Sequence, residues 1–61
     1  MSRTYSVDEI DRMRRALVWL LPRGPWHGNE REEAIEQQLR THMLNGTEPG
    51  ELESAADAQS R

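Results

Sequence analysis

The side chains of this 61-residue chain that could do chemistry are two histidines, four serines, eleven carboxylates and eight arginines; cysteine is absent. A Ser-His-acid arrangement needs a serine held rigidly beside the imidazole. Ser2 precedes any regular element, Ser6 stands where a helix begins and reads as its cap, and Ser54 and Ser60 fall in or beyond a short, weakly apolar C-terminal segment. No glycine-rich phosphate loop occurs either. Imidazole and carboxylate are good zinc ligands, which makes His27, His42 and Glu32 the candidates for a metal site. The two histidines are fifteen residues apart at opposite ends of one expected helix, about 20 Å at the rise of an α-helix, so one ion could join them only between two chains. The chain therefore reads as a non-enzyme with no catalytic, cofactor-binding or metal-binding residue.

Binding chemistry is better supplied. All eight basic residues are arginine, whose planar fork matches carboxylate and phosphate and stacks on aromatic rings. Arg12, Arg14, Arg15 and Arg23 fall close in sequence to Trp19 and Trp26. Such a mixture could neutralise phosphates and stack bases. Asp8 and Arg12, and Asp11 and Arg15, stand four residues apart, so much of that charge is expected to be answered on the helix itself. A helix-turn-helix also needs a connection of about three or four residues and a second helix suited to a groove. Here the connection has seven residues, and the helix after it is acidic. Tryptophan and arginine are the types enriched in protein interfaces. Trp19, Trp26, Arg12, Arg15 and Arg23 are accordingly the candidate partner-binding residues, with another protein the first reading and nucleic acid the alternative.

The elements that must position these residues are helices. Ser6 with Glu9 forms a capping box, and Tyr5 and Ile10 occupy the positions of a hydrophobic staple. Ile10, Met13, Leu17, Leu20 and Leu21 share one stripe. The first helix is predicted over about 7–21, ended by Pro22. Pro22 to Gly28 contains two prolines and two glycines and reads as a structured loop. Asn29 is the expected second cap, Ile35, Leu39 and Met43 the stripe, Glu36–Arg40 a helical pair and Asn45-Gly46 the C-cap, giving a helix over about 30–44. Thr47-Glu48-Pro49 starts a short third helix, about 49–57, packed through Leu52, with a frayed, disordered tail over 58–61. The predicted fold is all-α: one domain, an antiparallel helical hairpin with a short third helix. On the first helix Trp19 lies about 200° from Leu17. Either the loop folds back so that Trp26 or Pro25 covers it, with Arg15 stacked on the ring, or Trp19 and Trp26 form an exposed patch.

Nine apolar side chains make a marginal core for a chain this short, so a homodimer that extends the core is expected. Residues 1–28 carry five arginines against three acids, net +2, and residues 29–61 carry three against eight, net −5. The halves can attract each other within one hairpin or between copies. The longest apolar run, Ala16 to Leu21, is six residues against roughly 20 for a membrane span, and the chain reads as cytoplasmic with no membrane partner.

The stretch Arg23-Gly24-Pro25-Trp26-His27-Gly28-Asn29-Glu30-Arg31, with Leu39-Arg40-Thr41 and Met43-Leu44-Asn45-Gly46-Thr47, resembles short uncharacterised helical proteins of phages and prophages. That resemblance covers most of the chain and carries no functional residues with it. It implies a context: a small accessory protein that docks on host machinery.

Overall fold

Ser6 accepts the backbone N–H of Glu9 at 3.1 Å while the Glu9 carboxylate accepts the N–H of Ser6 at 3.0 Å. This reciprocal cap starts α1 (Val7–Leu20) in the computed structural model, which describes residues 3–60. Leu21 turns extended ahead of Pro22 and ends the helix, as the clash of a proline ring with a helical predecessor requires. After the loop, α2 (Glu30–Leu44) begins without a side-chain cap. Asn29 does not fill the capping role expected of it. The Glu30 carboxylate instead reaches back to accept the N–H of His27 at 3.0 Å.

The end of α2 follows the sequence closely. Gly46 takes a positive φ of 72°, its N–H bonds Met43 O at 3.2 Å, and the N–H of Thr47 bonds His42 O at 2.9 Å. These are the two hydrogen bonds of a Schellman turn, for which a residue without Cβ is the natural choice. Pro49 then opens α3 (Pro49–Gln59) at a position where its missing N–H costs nothing. Ala58 and Gln59, expected to lie in a loose tail, continue this helix, and Ser60 caps it. Arg61 lies outside the described residues.

The described residues are all-α, with α1 in the middle. It runs antiparallel to α2, as the Arg14–Glu36 and Arg31–Val18 contacts require, and parallel to α3, as Tyr5–Thr47 just ahead of the two helices and Arg12–Glu53 within them together require. α2 and α3 flank α1 without packing on each other, giving extents of 35 × 27 × 17 Å. The hairpin α1–α2 is present, but α1 packs more extensively on α3. Leu52, through which α3 packs, is buried in the core. The reason lies in Ala16 and Ala56, both buried, whose small side chains let the backbones of α1 and α3 come close. The core is Tyr5, Met13, Ala16, Leu17, Ile35, Leu39, Leu52 and Ala56, and the expected members Ile10, Leu20, Leu21 and Met43 pack half-buried at its margin.

The opposed charge of the two halves is used within the chain. Arg14 Nε donates to Glu36 at 3.0 Å across α1 and α2, which takes Glu36 from the expected pair with Arg40. Arg12 passes over Asp8 to reach Glu53 on α3. Arg3 bridges Glu9 and Glu48 at 2.5 and 2.7 Å and lies over the Tyr5 ring. Of the two helical pairs expected on α1, Asp11–Arg15 forms, at 2.9 Å.

Candidate functional site

The site is built on a deficit in the backbone. In an α-helix Leu17 O accepts from Leu21 N, which it does at 3.0 Å. The next carbonyl, Val18 O, would accept from residue 22, and a proline has no N–H to give. Arg31, in the first turn of α2, supplies the missing donor with Nη2 at 2.5 Å from Val18 O and also donates Nε to Pro22 O at 3.3 Å. Its cation thereby faces the negative end of the α1 dipole. The Trp26 indole N–H donates to the same Pro22 carbonyl at 2.6 Å. Loop and helix end are bound into one unit around two carbonyl oxygens.

With its indole on Pro22, Trp26 is half-buried in the loop and takes no part in the core. It does not fold back over Trp19. Trp19 remains 58% exposed, and Val18 beside it 40%. The cation on the Trp19 ring is Arg23, at 5.5 Å from the centroid. Arg15, the expected partner of that ring, is engaged by Asp11. Trp19 forms a ridge between two shallow grooves. One is lined by Val18, Trp19, Arg23 and Arg31, the other by Arg12, Arg15, Ala16, Glu53 and Ala56.

Thus the five candidates divide. Trp19, Arg15 and Arg23 stand together on the outward face. Arg12 lies at the edge of that face with its guanidinium held by Glu53, and Trp26 braces the loop. The Arg12 hydrogen bond holds the Glu53 carboxyl below the usual glutamate range, and Glu53 in turn raises Arg12. At the far end of α1 the Ser6 backbone N–H, with Arg3 nearby, lowers Glu9 in the same sense, and Glu48 raises Arg3.

Arg31 and Val18 are the members that sequence reasoning passed over. A signal for Arg31 was present: its neighbours three and four residues away are His27, Gly28, Ala34 and Ile35, so its helix offers no carboxylate, while Pro22 leaves a carbonyl unanswered. The histidines lie apart, His27 exposed in the loop and His42 with Nδ1 3.2 Å from the Thr47 hydroxyl. Among the described residues no three His, Asp or Glu side chains converge as metal ligands would, and no helix is long and apolar enough to cross a membrane. Comparison with protein-family models, curated proteins and solved structures finds no match to this chain.

Proposed function

We propose that this chain is a small non-catalytic accessory protein that works by docking another protein on the outward face of α1, with Trp19 as the anchor and Arg23 and Arg15 at its side. The observation that carries the reading is a large ring, more than half exposed, mounted on a braced helix and held by a stacked guanidinium. A tryptophan presented this way loses little freedom on binding and has much apolar surface to bury. Nucleic acid draws less support as a ligand, because Arg12 and Arg14 already face Glu53 and Glu36. The phage-protein resemblance makes a host protein in the cytoplasm the natural partner.

The test pairs capture with unfolding. A protein cross-linked to the native chain in its own cells should be retained at least about 30-fold less by Trp19→Ala, the equivalent of losing an interface anchor of about 2 kcal/mol, while the melting temperature stays near that of the native chain. Undiminished capture by Trp19→Ala would overturn the reading.

A further inference from the structure

The outward face of α1 has an order along its axis that bears on what can cover it. Val7, 85% exposed, stands at the N-terminal end, Asp8, Asp11 and Arg15 occupy the middle, and Val18 and Trp19 close the C-terminal end. At 100° per residue the six share an arc of about 120°, and neither α2 nor α3 crosses it. Apolar, charged, apolar, with both signs in the middle, is a pattern complementary to itself when reversed. In an antiparallel pair whose two-fold axis lies level with Met13, Asp11 of each copy faces Arg15 of the other, and Val7 faces Trp19. An axis level with Arg15 would set that arginine against itself. An axis a residue or two nearer the N-terminus carries Trp19 past the first turn of the other helix and leaves it without a partner.

We propose that this face is an isologous interface between two copies of the chain, with the α1 helices antiparallel, a ring of four charges at the axis and a Trp19–Val7 contact at each end. This rests on the reading of the Trp19 face as a protein-docking surface and names a second copy as its occupant. A copy seated there and any other partner that uses Trp19 exclude one another.

The decisive experiment is a charge exchange, read by sedimentation across the micromolar range, with circular dichroism to establish that each variant is folded. The native chain should dimerise. Asp11→Arg alone opposes like charges twice across the axis, as does Arg15→Asp alone, and each should weaken the dimer about tenfold or more. Mixing the two variants restores opposite charges at both contacts, so the mixture should dimerise nearly as the native chain does. A role of Asp11–Arg15 confined to its own helix predicts no effect of mixing, and that result overturns the proposal. A second measurement uses the absence of cysteine. A mixture of Val7→Cys and Trp19→Cys, which meet at one end of the pair in this register while the other end keeps its native contact, should give a cross-linked product with a short bis-maleimide that neither variant gives alone, and equal yields would rule the register out. A native chain that is monomeric throughout also overturns the proposal, while Trp19-dependent capture of a different protein would leave the docking reading standing.

Discussion

The two ends of α1 treat their aromatic residues in opposite ways. Where the helix begins, Tyr5 is buried, its hydroxyl donates to Thr47 O at 2.9 Å, and Arg3 covers its ring. The capping box, the Schellman turn and the Arg3–Glu48 bridge all meet within this end. Where the helix stops, both tryptophans are outside the core, one bracing a loop and the other open to solvent. A chain with so few large apolar side chains would gain most in stability from burying its largest rings. It buries its tyrosine and displays a tryptophan, which separates an end that holds the fold from an end available for contact.

The largest expected effect tests that division directly. Met13 is the one side chain with no exposure among the described residues, and Met13→Ala should cost about 2–5 kcal/mol, enough to unfold most of a domain this small. Trp19→Ala, though it deletes a bigger side chain, should change stability by no more than about 0.5 kcal/mol. Thermal melts of the two variants suffice. A Trp19→Ala chain as unstable as Met13→Ala would abolish the contrast between the ends.

A smaller effect sharpens the account of the loop end. Arg31→Ala leaves Val18 O without its donor and removes one of two donors from Pro22 O, and should cost about 1–2 kcal/mol. Amide exchange should then show faster opening of the last turn of α1 while the Tyr5 end stays protected. Opening spread evenly along α1 would show that Arg31 braces nothing local.

The smallest effect is one of pH. Glu9 and Glu53 have carboxyls held low in the folded chain by the Ser6 N–H and by Arg12. A group whose folded value is depressed contributes stability that is fully present above its unfolded value, about 4.3 for glutamate, and is lost as pH falls through the folded value. The melting temperature should therefore decline below about pH 4.3, and the double variant Glu9→Gln with Glu53→Gln should flatten that decline. An unaltered acid limb would remove these two carboxylates from the account.

Helix positions were legible because their signals are local. Ser6 with Glu9, Pro22, Asn45-Gly46 and Pro49 each act over a span of a few residues, and each marks an observed boundary to within a residue. Asn29 failed because its backbone, at φ −97° and ψ 14°, does not take the extended conformation from which a cap side chain reaches the free N–H groups of the first turn, and the conformation of the loop before it is not set by composition. The stripe of α1 pointed to Met13 and Leu17 but not to Ala16. An alanine is counted apolar without being counted as core, and its value arises only when a second small residue, Ala56, stands opposite.

What the sequence determined by itself was the set of three helices, their starts, the ends of the first two to within a residue and the outward direction of Trp19, since these follow from hydrogen bonds and angles between near neighbours. What only the tertiary structure decided was pairing: Arg12 with Glu53 over Asp8, Arg14 with Glu36, Tyr5 with Thr47, Arg31 with Val18 O, and Arg23 in place of Arg15 on the Trp19 ring. A long guanidinium has several acceptors within reach at nearly equal free energy, so its own sequence neighbourhood cannot choose among them. The choice falls to the docking of α2 and α3 on α1, through contacts as many as 42 residues apart, which sets particular acceptors within reach of each donor and leaves one ring uncovered.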